Sequence, residues 1–78
     1  MNMSSVTFNG WKIGMNKAAF TKMLMHTANL TFTAAKQMTD DLLDGKAVIL
    51  KTETIEKANW IALEATDLGV ICSMSKDV

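Results

Sequence analysis

The chain has no proline and no arginine, and a single cysteine, in 78 residues. With no proline, no biased repeat and 49% hydrophobic residues, it is neither a low-complexity linker nor a disordered segment. The single cysteine, Cys72, excludes an internal disulfide framework and a multi-cysteine zinc site, and the expected setting is intracellular and cytoplasmic. No apolar run comes near the roughly 20 residues that span a bilayer, and no apolar signal-peptide core opens the sequence, so a membrane is not an expected partner. The missing arginine bears on nucleic acid. Proteins that read phosphates and guanine edges lean on bidentate guanidinium contacts and are usually net basic, whereas this chain is neutral and 6% aromatic. Nucleic acid is therefore not an expected partner either.

Acid is also missing, but only from one half. Residues 1–39 hold Lys12, Lys17, Lys22 and Lys36 and neither Asp nor Glu. Residues 40–78 hold the other four lysines and all eight acids, so a net +4 faces a net −4. That split predicts a dipolar surface if the two halves do not interleave in space.

What is present reads as one small domain over residues 1–78, with 75–78 as a frayed tail. Val6-Thr7-Phe8 alternates, Asn9-Gly10 interrupts, and Trp11 and Ile13 resume, which predicts a strand with a bulge or tight turn. Asn16 is placed to cap a helix whose stripe is Ala19, Phe20, Met23, Leu24 and Thr27, leaving through Asn29. Thr31 or Thr33 caps a second, with the stripe Phe32, Ala35, Met38 and Leu42, closed by Gly45. Ala47-Val48-Ile49-Leu50 is a continuous apolar run and reads as a central strand. Thr54 caps a third helix with the stripe Ile55, Ala58, Ile61, Ala62, Ala65 and Leu68, and Gly69 ends it before a last strand over 70–74. The expected fold is α+β, a two-layer β-α-α-β-α-β arrangement in which three helices cover one face of a three-stranded antiparallel sheet. Its core is expected to bury Phe20, Leu24, Phe32, Met38, Val48, Leu50, Ile61, Ala65 and Ile71.

No catalytic constellation stands out, and no enzyme, metal or cofactor is expected. His26 has no nearby nucleophile, carboxylate or second ligand in sequence. Cys72 lies among Val70, Ile71 and Met74 and reads as a buried structural thiol. Asp40 and Asp41 are neighbours on a helix and so point about 100° apart. Gly10-Trp11-Lys12-Ile13-Gly14 lacks the spacing and the Lys-Ser/Thr ending of a phosphate loop. Among the seven methionines, Met23 and Met38 follow core stripes, while Met15 and Met25 lie off them and suit a pliable contact surface. Trp60 falls beside the stripe of the third helix, as an interface anchor or a cover for the sheet edge, and Trp11 sits similarly near the bulge.

From Asn16 to Met74 this pattern resembles the C-terminal domain of the bacterial ribosomal stalk protein and the related ClpS adaptor fold. The residues that carry the likeness are Asn16-Lys17, Leu30 with Phe32, Ala35 and Lys36, then Leu50-Lys51, and Ala58 through Leu68-Gly69. The stretch Asp44 to Val48 is more like ClpS. The resemblance implies a non-enzymatic protein-interaction domain. Stalk domains recruit translational GTPases through basic and small apolar residues of the first two helices, and the matching positions here are Lys17, Ala18, Thr21, Lys22, Met25 and Lys36. Met25 stands where the stalk pattern usually has arginine, and His26 where it has glycine. ClpS reads degrons with an Asn-Asp pair after its first strand and a histidine on its second helix; here Gly10 follows Asn9 and the second helix has no histidine.

The expected function is thus that of a small adaptor or inhibitor, bacterial or phage-encoded, which meets another protein through Lys17, Ala18, Thr21, Lys22, Met25 and Lys36. One alternative is a stalk-like module that binds translational GTPase factors. Another is a structural subunit that self-associates through a second interface at Trp60 and a sheet edge.

Overall fold

Each helix opens on a side chain that accepts from a backbone amide the helix itself leaves unpaired. Asn16 Oδ1 accepts from Ala19 N at 3.1 Å and starts α1 (Lys17–Thr27). Thr31 Oγ1 accepts from Ala34 N at 3.2 Å and starts α2 (Phe32–Leu43), while Thr54 Oγ1 accepts from Lys57 N at 3.1 Å and starts α3 (Ile55–Asp67). The exits follow the same logic: Asn29, Gly45 and Gly69 take the left-handed backbone that lets a helix stop abruptly. With strands β1 (Met3–Trp11), β2 (Val48–Thr52) and β3 (Val70–Asp77), the chain runs β-α-α-β-α-β. The computed structural model describes residues 3–77. No helix among the described residues is long and apolar enough to cross a membrane.

The sheet is antiparallel with strand order β2-β1-β3. Pairing between β1 and β3 slips one residue between Phe8 and Gly10, leaving Asn9 as the extra residue of a bulge. Its side-chain amide donates to Ser73 Oγ at 3.2 Å. The apolar run Ala47–Leu50, expected as a central strand, instead contributes Val48–Leu50 to an edge strand. The centre is β1, which among the described residues has a partner on both sides. In β2, Val48, Leu50 and Thr52 face the helices and Ile49 and Lys51 face outward, the alternation of a sheet covered on one side. β3 continues through residues 75–77, where the sequence suggests a frayed tail, because β1 supplies partners as far as Met3 opposite Asp77. Val78 lies outside the described residues.

The core lies between the helices and this one face. Val6 and Phe8 of β1 meet Phe20 and Leu24 of α1, Ala35 and Leu42 of α2, and Ala58, Ile61 and Ala65 of α3. The Phe8 and Phe20 rings meet edge to face, 5.1 Å between centroids. Such a pair contributes about 0.5–1.5 kcal/mol beyond the area it buries.

Three expected core residues are placed differently. Ile71 is 46% exposed: Val70 faces the helices, so strand alternation turns Ile71 to the uncovered face of the sheet. Phe32 is 57% exposed, because the buried face of α2 is Ala35, Thr39 and Leu42, and Phe32, in the first helical turn, lies to the side of it. Met38 is only partly buried, packed against the rim of the core. Cys72 is half-buried rather than buried; its thiol approaches Ala62 O at 3.5 Å and Thr66 Oγ1 at 3.7 Å, between β3 and α3.

Candidate functional site

The start of α1 is fixed by the end of α3. Lys12 N–H donates to Gly69 O at 2.8 Å and Asn16 N–H to Leu68 O at 3.0 Å, so the capping residue of α1 is itself tied down. At the other end, Leu30 N–H reaches back to Leu24 O, and residues 28–31 are the whole connection to α2. A link this short makes α1 and α2 an antiparallel hairpin. The two helices meet at Thr21 and Thr39, whose hydroxyl oxygens are 2.8 Å apart.

Above that contact the hairpin opens into a groove of about 600 Å³. The six residues singled out from sequence all line it: Lys17, Ala18, Thr21, Lys22 and Met25 from α1, and Lys36 from α2. Geometry adds His26, Phe32, Thr39, Asp40 and Leu43. Phe32 reads as core in a helical stripe, but as the first residue of α2 it lies against the groove instead. Leu43 sits just after the stripe residue Leu42, and Thr39 is polar, so neither carries a sequence signal for this place. Asp40 was visible only as half of an acidic pair.

The electrostatics are simple. Lys36 Nζ pairs with Asp40 Oδ2 at 3.1 Å, an exposed i,i+4 pair on the α2 wall. Lys17 and Lys22 form no ion pair among the described residues. The unmatched positive charge of the groove therefore sits on its α1 wall, while Phe32, Met25, Ala18 and Leu43 supply its apolar lining. Lysine heads on a rim stay hydrated while their stems lie along apolar surface.

Trp60 stands elsewhere, on the outer face of α3, and is 61% exposed. It lines neither this groove nor the smaller hollow of about 330 Å³ between α1 and α3, where Ala19, Lys22, Met23 and His26 face Glu64, Asp67 and Leu68. No group of three or more His, Cys, Asp or Glu side chains among the described residues is arranged to hold a metal ion. No protein-family model, no curated protein and no solved structure matches the chain.

Proposed function

We propose that this is a protein-interaction domain that works by docking rather than by chemistry, and that the α1–α2 groove is where a partner protein sits. The observation that carries this reading is the exposed Phe32 at the side of a groove whose free charges, on Lys17 and Lys22, are all of one sign. A large aromatic left in water beside an apolar hollow gains by being covered, and well-packed aromatics dominate binding energy. Rim lysines attract an acidic partner and set the rate of encounter more than the final affinity. The site is held in place at both ends of α1, where Asn16 N–H donates to Leu68 O at 3.0 Å and Thr27 Oγ1 donates to Glu64 Oε2 of α3 at 3.3 Å. Such a domain acts as an adaptor or an inhibitor by occupying a surface of the partner; in the same reading its one thiol stays reduced in the cytoplasm.

The experiment is a quantitative pull-down from a lysate of the cells that make the protein. Wild type is compared with Lys17→Glu, Lys22→Glu and with Phe32→Ser, with retained fold checked by circular dichroism. The reading expects a captured protein that both variants lose. Equal capture by all three would move the site away from the groove.

A further inference from the structure

The outer edge of β3 is open. Among the described residues only β1 pairs with this strand, and no other backbone hydrogen bond reaches Val70–Asp77. Alternate residues of an antiparallel strand turn their N–H and C=O groups to opposite sides, so about half of these residues offer both groups outward. Such a row is a template for another strand, and edges are commonly guarded by charge, proline or a short length. β2, the other edge, is five residues long and includes Lys51. β3 is eight residues long, and Val70-Ile71-Cys72-Ser73-Met74-Ser75 holds no charge, proline or glycine, the make-up of segments that pair readily. Ile71 and Met74 are exposed on opposite faces of that edge. The flank of α3 above it is equally free of charge. Cys72 Sγ lies 3.5 Å from Ala62 O and 3.7 Å from Thr66 Oγ1, so this flank lies over β3. Asn59, Ala62 and Thr66 follow one another at steps of three and four, all small and uncharged. Trp60 is about 200° round the helix from Ala62 and takes no part.

We infer that β3 of a second copy of this chain pairs antiparallel with this edge, giving a two-fold dimer with one continuous six-stranded sheet. The strand is its own complement. Residues opposite one another share a face of the sheet, so odd-numbered residues meet odd-numbered ones. Centred on Ser73, the ladder runs over residues 70–76: Ser73 meets the partner's Ser73, Cys72 the partner's Met74, and Ile71 the partner's Ser75. Centring on Cys72 shortens the ladder to residues 70–74, and centring on Met74 sets Lys76 and Asp77 opposite Cys72 and Ile71. The small, uncharged flanks leave room for the two α3 helices side by side. A two-fold contact closes on itself, so growth stops at two copies. The α1–α2 groove stays free, since α2 packs on β1 and β2, away from this edge. The inference is therefore independent of the reading of the groove, and the dimer presents two grooves. One strand pair covers less surface than a standard interface, so association is weak and is read at high protein concentration. Because backbone bonds and uncharged side chains make the contact, salt does not weaken it.

The test uses light scattering and sedimentation over a concentration series, with retained fold checked by circular dichroism. Wild type is expected to move from monomer to twice that mass and no further, equally at low and high salt. Lys17→Glu, Lys22→Glu is expected to do the same. Ser73→Lys and Ser73→Glu each set like charges directly opposite one another at the axis, so each alone stays monomeric. Mixed together they form a one-to-one dimer. Ser73 is exposed on the uncovered face of the sheet, so neither change reaches the core. A second measurement reads the register. Cys72→Ser, Ser73→Cys sets two thiols opposite each other within disulfide reach and is expected to give a covalent dimer with copper–phenanthroline as oxidant. Ile71→Cys, Cys72→Ser, whose thiol meets the partner's Ser75, is expected to give none. A wild type that stays monomeric at the highest concentration it tolerates overturns the inference. So does assembly beyond two copies, a dimer that Ser73→Lys or Ser73→Glu still forms alone, or equal cross-linking from positions 71 and 73. A dimer lost on reversal of Lys17 and Lys22 also overturns it and moves the self-contact to the groove. If wild type is monomeric yet that reversal abolishes capture of a foreign protein, this inference fails and the groove reading stands. If wild type dimerises as described and the reversal leaves capture unchanged, the groove reading fails and this inference stands.

Discussion

The hydroxyl oxygens of Thr21 and Thr39 lie 2.8 Å apart where α1 and α2 meet at the base of the groove. Thr21 Oγ1 is also 3.0 Å from Lys17 O, and Thr39 Oγ1 is 2.9 Å from Ala35 O. Two hydroxyl hydrogens serve these three contacts, so when one threonine donates to the other it gives up the bond to its own helix carbonyl. The groove is therefore pinned at its base by a polar pair in which Thr39 is buried.

Replacing Thr39 by valine keeps its shape and removes the pair. The expected loss is about 1 kcal/mol, the net contribution of a typical internal hydrogen bond, with more if the Thr21 hydroxyl is left without water. Thr21→Val, Thr39→Val should cost less than the two single changes added together, with a coupling of about 1 kcal/mol in a double-mutant cycle by chemical denaturation. Additive losses would mean that the two hydroxyls do not depend on each other.

Ser4 offers the opposite case. It is fully buried on β1 opposite Thr52, and its hydroxyl is without a hydrogen-bond partner among the described residues. A desolvated hydroxyl with no partner costs about 1–3 kcal/mol. Ser4→Ala should therefore stabilise the domain, seen as a higher denaturation midpoint with an unchanged slope. A lower midpoint would show that the hydroxyl is satisfied in solution.

Two neighbours on α3 should behave in contrast. Ile61 is fully buried, and Ile61→Ala should cost roughly 2–5 kcal/mol through lost transfer energy and the cavity left behind. Trp60 is the adjacent residue, yet Trp60→Ala should stay within about 0.5 kcal/mol of wild type, as surface changes usually do. Thermal unfolding of both variants checks the phase of the helix. Equal losses would contradict it.

Gly69 and Gly45 both end helices at positive φ, 94° and 88°. At Gly45 an added Cβ meets open space, so Gly45→Ala carries backbone strain alone, about 1 kcal/mol. At Gly69 the Cβ would come 3.0 Å from Met15 Cα, in the loop that leads into α1. Gly69→Ala should cost roughly 3 kcal/mol and, by displacing that loop, disturb the α1 wall of the groove. Denaturation of the two variants side by side tests the difference.

Much of this was legible in the sequence. Helix stripes, caps and glycine exits fix where each element begins and ends, because hydrogen-bond needs at helix ends are local. Phe32 and Ile71 were not legible as exposed residues, since hydrophobicity alone cannot say which of two faces a neighbouring layer covers. Thr39 was missed for the converse reason: a polar side chain enters the core when a carbonyl four residues back and a hydroxyl on the next helix receive it. The apolar run Val48–Leu50 suits a central strand and an edge strand equally, and only the pairing of β1 with both neighbours decides. The six groove residues were drawn together from sequence by a family resemblance. Asp40 and Leu43 belong to the same place but depend on how α2 rotates against α1, which no local pattern states.

The most direct test of the docking face is site-specific photo-crosslinking in the cells that make the protein. A photoreactive residue is placed at Met25, inside the groove, or at Ile49, on the uncovered face of the sheet. Covalent protein adducts should form from position 25, vanish when Lys17 and Lys22 are changed to Glu, and be absent from position 49. Adducts from position 49 alone, or adducts at 25 that persist after the lysine reversal, would contradict the assignment of the α1–α2 groove as the surface this protein uses.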